Sequence, residues 1–161
     1  GVLHSPRLPL AGGGYWLPAV GGISAFGATA QVDDFDASVR VADHAYNLHR
    51  LQMMAPHGPI PAEADLQGRV AWRSVAVDRL PLVGAVPDPA RQATASSRLQ
   101  QLPRLPGLHV LTALGARGIG FAVLGGQVLA AMLSGTPVPL ESCLVDALDP
   151  GRFGLREARR R

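Results

Sequence analysis

Pro106–Gly135, PGLHVLTALGARGIGFAVLGGQVLAAMLSG, is the stretch on which the reading of this chain turns. Leu108 to Leu114 is an apolar run of strand length. Gly115, Gly118 and Gly120 then mark a turn, with Arg117 inside it. Phe121 to Leu133 is mostly small and apolar, which predicts a helix. Strand, glycine turn and helix together present a helix N-terminus to an anion or an electron-rich ring. The glycines matter because backbone N–H groups approach a ligand closely only where no Cβ intervenes. A cation at a helix N-terminus is opposed by the dipole. Arg117 is therefore either a solvent-facing loop residue or the partner of something anionic or electron-rich. Ala122, Gly126 and Ala130 recur at i, i+4, i+8, a stripe suited to close packing against another element.

Glycine order decides against two common nucleotide sites. The turn reads GxxGxG over Gly115–Gly120, not GxGxxG, and no acid follows at a strand end about 20 residues on. Glu141 lies beyond Pro137 and Pro139, and no βαβ unit follows. A dinucleotide site complete in this stretch is excluded. A P-loop is excluded as well, because the chain has no lysine.

The 161 residues suffice for one ordinary domain with a core, and 47% apolar against 17% charged residues excludes a disordered chain. Fourteen prolines and nineteen glycines predict many turns and few long helices. Cys143 is the single cysteine, which excludes an internal disulfide and fits a reducing compartment. Gly1 onward shows no signal pattern, and Phe121–Leu133 is too short a run to span a bilayer. The expectation is a soluble, cytoplasmic protein. The net charge is +3, and all fifteen basic residues are arginine, as a GC-rich genome produces. Four of them fall in the last seven residues, LREARRR. A frayed, solvated tail is the plain reading, and contact with a polyanion such as RNA the sharper one.

Residues 6–20 read as two short strands about Gly12-Gly13-Gly14, and Ile23 to Ala30 as a further strand. Asp33, Asp34 and Asp36 make an acidic loop that lacks the pattern of a calcium site. Val39 to Met54 predicts a helix, capped by Ser38, with Val41, Ala45, Leu48, Leu51 and Gln52 on its apolar face. Pro56-His57-Gly58-Pro59 ends it. Gly68 to Val77 predicts a strand, Asp78-Arg79-Leu80-Pro81 a turn, and Leu82 to Val86 an extended segment. Residues 88–104 read as an aperiodic loop, and Asp146 to Phe153 as a closing turn. His44 and His49 are five apart, and His4, His57 and His109 are scattered, so a metal site is not expected. No serine sits in a nucleophile elbow, and Cys143 has no local histidine.

Arg73 falls on the strand face of Ala71, Val75 and Val77, an apolar row. A guanidinium there requires a partner. Two remain open: a structural carboxylate such as Asp78, or a substrate carboxylate gripped by the bidentate fork.

Several separated segments now fit one pattern. They are Gly14-Tyr15-Trp16-Leu17-Pro18, Gly27-Ala28-Thr29, Trp72-Arg73 with Asp78, Pro81-Leu82-Val83-Gly84, and residues 107–135. Their order and spacing resemble the C-terminal half of the D-amino-acid-oxidase-like FAD-dependent oxidoreductases. The phrases GRVAWRSVAVDRLPLVGAVP and LVDALDPGRF resemble a branch of bifunctional tRNA-modifying enzymes in that group. The likeness is weakest over residues 31–66 and 88–104. Ala76 stands where the group often has threonine, and Val123 where it often has proline.

The resemblance implies an α+β fragment: a mostly antiparallel substrate-domain sheet with a covering helix, plus the last strand and helix of an FAD-binding domain. Residues 1–105 would be the substrate part, 106–135 the FAD-domain strand, loop and helix, and 136–161 a tail. Arg73 matches the arginine that holds a substrate carboxylate. Gly115, Ala116, Arg117, Gly118, Ile119 and Gly120 match the loop against the flavin, with Arg117 beside flavin or substrate. Tyr15 matches a position near the substrate sheet. FAD is the implied cofactor and tRNA the implied substrate of the parent. The rest of the FAD domain and a methyltransferase domain are the implied partners in the same chain. The implied reaction removes a carboxymethyl group from carboxymethylaminomethyluridine at the wobble position. The alternatives are an oxidase of small amines or amino acids, and a silent module binding RNA or protein. Alone, the fragment would leave the Ala122, Gly126 and Ala130 stripe uncovered and would be inactive.

Overall fold

Gly12, Gly13 and Gly14 turn the chain back on itself in a computed structural model that describes residues 5–58, 60–91, 93–94 and 97–160. Gly1, His4, Pro59, Gln92, Ala95, Ser96 and Arg161, on which parts of the sequence reading drew, lie outside the described residues. The chain forms two compact units, Gly1–Ala71 and Trp72–Arg161. Both are α+β, with only antiparallel pairing between the strands.

In the first unit, β1 (Leu10–Gly12) pairs with β2 (Gly14–Trp16), and β2 with β3 (Phe26–Gly27). The expected strand Ile23–Ala30 shrinks to two residues, because Gly21 and Gly22, both at positive φ, turn the chain sharply just before it. The backbones here run close together. A Cβ on Gly14 would lie 2.7 Å from the Gly27 carbonyl oxygen. Trp16 is buried, and its indole N–H donates to Ser24 Oγ at 2.9 Å.

Helix α1 (Val41–Met54) packs on this small sheet. Its face differs from the expected one. Leu51 is buried, with His44, Asn47, Leu48 and Met54 half-buried beside it, whereas Val41, Ala45 and Gln52 are exposed. The buried set runs i, i+3, i+4, i+7, i+10, which a search for apolar residues alone misses because His44 and Asn47 belong to it. Ser38 is not the cap. Its hydroxyl donates to Asp36, and Arg40 takes the N-cap position without a side-chain hydrogen bond.

In the second unit, β4 (Leu82–Pro87) pairs with β5 (Arg104–Thr112) in a register that sets Val83 against Leu111 and Gly84 against Val110. Pro106 sits within β5, tolerated because a two-stranded ribbon leaves outer edges without ladder bonds. Helix α2 (Gly118–Ser134) lies on the ribbon, with Val128 and Ala131 buried. The close approach is at Gly125, not at the stripe named from sequence. A Cβ there would stand 2.7 Å from Leu111 Cδ1. Gly126 has open space instead, and Ala122 and Ala130 are exposed. With Ile119 98% exposed and Val123 70%, the outer side of α2 is an uncovered apolar face.

Counted with its opening 3-10 turn, this helix runs Gly115–Ser134 at mean hydropathy 1.5, long and apolar enough by length and composition to cross a bilayer. The sequence count was shorter because it began at Phe121. The helix in this structure packs one side on β4 and β5 and carries Arg117 near its start.

Three expectations fail from Gly68 onward. Gly68–Val77 is not a strand. Only Val75 bridges to Leu114, and Trp72, Val75 and Val77 are exposed, so the segment lacks a sheet partner along most of its length. Residues 88–104 are not uniformly loop, since Leu99–Gln101 forms a 3-10 turn and Arg104 begins β5. Asp146–Phe153 is not a simple turn either. Two helices, α3 (Ser142–Leu148) and α4 (Arg152–Ala158), meet at Pro150-Gly151. Each is seven residues, too short to show periodicity. At the end of α4 the amides of Arg159 and Arg160 donate to the carbonyls of Leu155 and Glu157.

Candidate functional site

Ala113 and Gly115 both take left-handed φ values, +58° and +57°, and between them the chain leaves β5 for the glycine turn. A non-glycine residue in that region costs about 1–2 kcal/mol, so the surroundings must hold the turn. They do so in three places. The Gly115 amide donates to the Ser74 carbonyl at 3.1 Å, Val75 bridges Leu114, and Val75 Cγ2 lies 3.4 Å from where a Gly115 Cβ would stand. Gly115–Arg117 then form a 3-10 turn that feeds α2.

This pairing brings Arg73 beside the turn, because it directly precedes Ser74. Arg73 is exposed. Its expected apolar row is not a core face, so no buried guanidinium has to be neutralised. The structural pair with Asp78 does not form. Asp78 is taken by Arg152 and Arg156, and among the described residues Arg73 has no hydrogen bond or ion pair. Its fork is available to a ligand.

Arg117 is exposed, yet it is not a loose loop residue. Its Nη2 donates to the Arg79 carbonyl, and its guanidinium lies 5.1 Å from the centroid of Phe121. Gly118, Ile119 and Gly120 form the first turn of α2, whose leading N–H groups have no helical partner. Nothing stands within 4 Å of a Cβ built on Gly120. Ala116 is exposed like Ile119. Tyr15 lies in the other unit on β2, 37% exposed, with its hydroxyl 3.4 Å from where a Gly27 Cβ would stand.

Behind the turn is a set of charge pairs that the sequence did not reveal, although Asp78 itself was a candidate carboxylate. Arg152 is 3% exposed. Its Nε and Nη2 grip Asp78 Oδ2 and Oδ1 at 2.9 and 2.8 Å. Its remaining donors reach the carbonyls of Leu80, Pro81, Leu148 and Asp149 at 3.0–3.2 Å. Arg156 adds a bond to Asp78 Oδ2 at 3.1 Å. The Arg152 guanidinium holds the Asp78 carboxyl far below the usual carboxylate range, against its partial burial. A second fork, Arg104 to Asp149 at 2.9 Å, ties β5 to the corner before α4. The one signal in the sequence was an arginine placed between Gly151 and Phe153, in a helix too short to be recognised.

Among the described residues no three His, Cys, Asp or Glu gather to hold a metal. The turn suits one edge of a planar, electron-rich group: open glycine backbone, an arginine, and a helix N-terminus. It does not offer the acid and glycine fingerprint that hold an adenosine diphosphate moiety. The residues here therefore fit the ring end of FAD and not the whole cofactor.

Residues 3–132 match the FAD dependent oxidoreductase family, DAO. The chain belongs to that family of flavin-dependent oxidoreductases. It is similar to the tRNA 5-methylaminomethyl-2-thiouridine biosynthesis bifunctional protein MnmC of Methylibium petroleiphilum, 51% identical over 163 residues, covering 96% of this chain and 25% of that protein. The MnmC proteins of Azoarcus sp. and Burkholderia multivorans are 46% and 42% identical, over 96% and 97% of the chain and 24% and 25% of theirs. The chain thus spans about a quarter of the curated relatives it matches.

Proposed function

We propose that this chain is part of a larger FAD-dependent oxidoreductase that modifies tRNA, and that it supplies one wall of the active site. The observation that carries the reading is the Gly115 amide on the Ser74 carbonyl, which sets Arg73, exposed and without an ion pair among the described residues, next to the Gly115–Gly120 turn. In this reading Arg73 binds the substrate carboxylate through its fork. The backbone of Gly115, Ala116, Gly118, Ile119 and Gly120 lies against the ring end of FAD. Arg117 and the α2 N-terminus favour negative charge there. Tyr15 belongs to the substrate side.

The substrate proposed is carboxymethylaminomethyl-(2-thio)uridine at the tRNA wobble position. Its side chain is an N-substituted glycine, so it offers the carboxylate that Arg73 requires. The chemistry is loss of hydride from the carbon between nitrogen and carboxylate and of the N–H proton, which forms a C=N bond, and water then hydrolyses that imine to leave the amine and release the two carbons as glyoxylate. FAD supplies the hydride acceptor when bound. The task of this chain is to fix the carboxylate so that the reacting C–H faces the ring. The proposed setting is the cytoplasm, with the remaining FAD domain and a methyltransferase domain in the same full-length protein. The names of the MnmC relatives and the family match support this branch over an oxidase of free small amines.

The test uses the full-length protein. It should bind FAD, show flavin absorbance and reduce its flavin with tRNA carrying the carboxymethylated uridine. Arg73→Ala should cut turnover of that tRNA by at least 100-fold while FAD affinity stays within about twofold, as expected for loss of a charge-assisted bidentate contact. Reduction by sarcosine or glycine but not by the tRNA would select the small-amine reading. Unchanged kinetics in Arg73→Ala would remove Arg73 from the site.

A further inference from the structure

Arg117 is the one charged side chain within the glycine turn, and what holds it lies far along the chain. Its anchor is the backbone carbonyl of Arg79. Arg79 sits at φ +60°, a conformation that a free turn would abandon. The residue before it is Asp78, whose carboxylate is gripped by Arg152 and Arg156. The two residues after it are Leu80 and Pro81, whose carbonyls accept from the same Arg152 guanidinium. Asp78 also closes the turn locally by accepting from the Leu80 amide at 3.2 Å. Arg152 thus touches the turn on both sides of the carbonyl that Arg117 uses.

A buried arginine with five donors is a costly way to join α4 to a loop if stability alone is needed, since an apolar replacement often serves as well or better. What the guanidinium provides and an apolar side chain does not is direction: five N–H vectors fixed by one planar group. Those vectors fix the orientation of the Arg79 peptide, and that peptide fixes the Arg117 guanidinium. We propose that Arg152 is a positioning residue, which acts through the Asp78–Pro81 turn to hold Arg117 at the glycine turn. This rests on the reading that Gly115–Gly120 faces the flavin ring. Arg152 touches neither cofactor nor substrate in this scheme. It sets where a positive charge stands relative to them.

The experiment measures the midpoint reduction potential of FAD in the full-length protein, by dye-coupled titration. A cation held near the ring favours the reduced, more negative form. Arg117→Met should shift the two-electron equilibrium toward oxidised flavin by roughly tenfold, about 30 mV. Arg152→Met should shift it in the same direction, and the double variant should fall little further than Arg117→Met alone, because one residue acts through the other. If Arg152→Met does not fold, Asp78→Asn serves in its place. It keeps the side-chain shape, loosens the fork, and should give a smaller shift that also disappears in the Arg117→Met background. Equal potentials for wild type and Arg117→Met would overturn the flavin-facing reading itself. A shift in Arg117→Met with none in Arg152→Met or Asp78→Asn would leave that reading intact and overturn the positioning role. Additive shifts would overturn it too, since they would mean that Arg152 acts on the ring independently of Arg117.

Discussion

The two units of this chain solve the problem of a small core in opposite ways. Gly1–Ala71 carries four arginines against six acidic residues, whereas Trp72–Arg161 carries eleven against six. The acidic unit fully buries no charge among its described residues. Arg40 pairs with a half-buried Asp34 and an exposed Asp36, and Trp16 and Leu51 do the burying. The basic unit places charge inside. Arg152 is as buried as the core residues Leu155 and Ala131, and Arg104 is mostly covered. Where two seven-residue helices, α3 and α4, close the ribbon, oriented guanidinium forks add to the apolar area that such short elements supply. The lesson is that the basic unit adds direction to a packed apolar core that includes Val83, Val128 and Leu155, whereas the acidic unit rests on contact area.

Arg152→Met tests the larger half of that contrast. Removing the guanidinium leaves the Asp78 charge partly buried and strips several carbonyls of their donors. Breaking such a pair costs about 3–5 kcal/mol. Hydrogen exchange in the full-length protein should show residues 78–81 and α4 opening, with α1 unchanged. If protection at α4 survived, the basic unit would owe its order to packing after all.

Leu51→Ala tests the other half. It removes the most buried side chain of α1 and should cost about 2–5 kcal/mol, with protection lost along α1 and β2. Acid separates the two modes further. The folded Asp78 carboxyl is depressed below its ordinary value of 3.8, so its stabilising contribution is complete above that pH. It is lost as pH falls below 3.8 towards the depressed folded value. Exchange at residues 78–81 should therefore accelerate below about pH 4, the unfolded carboxylate range, and Asp78→Asn should abolish that pH dependence. Asp34 is depressed in the same direction by Arg40, and Asp36 by the Ser38 amide, but both stand more open than Asp78. Their loop should respond less.

What was legible in the sequence follows the same contrast. The glycine hairpin, α1, β4 and α2 were found because glycine clusters and apolar runs are local signals. The Gly68–Val77 strand was misread because an extended apolar segment says nothing about whether a partner strand is present. The Ala122, Gly126 and Ala130 stripe lies open in this fragment, and the glycine pressed against β5 is Gly125: small residues recur on two faces, and only the contact at Leu111 shows which is packed. Arg73 and the glycine turn were named from sequence, but the Ser74–Gly115 contact that joins them was not. It spans more than forty positions. Asp78 was seen but assigned to the wrong arginine, since Arg73 is five positions from it and Arg152 seventy-four. Long-range charge pairs leave no period and no spacing.

Gly120→Ala gives the smallest stability effect and the finest test of the turn. A Cβ at Gly120 meets no atom within 4 Å, and the residue is in the first turn of α2. Backbone entropy alone should then stabilise the protein by about 0.5–1 kcal/mol. Gly154→Ala in α4, equally open, should give a similar gain and serves as the control. The two should part company when FAD is added to the full-length apoprotein. A methyl at Gly120 stands where the ring edge is proposed to lie, so affinity should fall by roughly tenfold, the equivalent of about 1.4 kcal/mol. Gly154→Ala should bind FAD like wild type. If both variants gained stability and both bound FAD unchanged, the glycine at position 120 would be needed by neither fold nor flavin, and the ring would have to be placed elsewhere along α2.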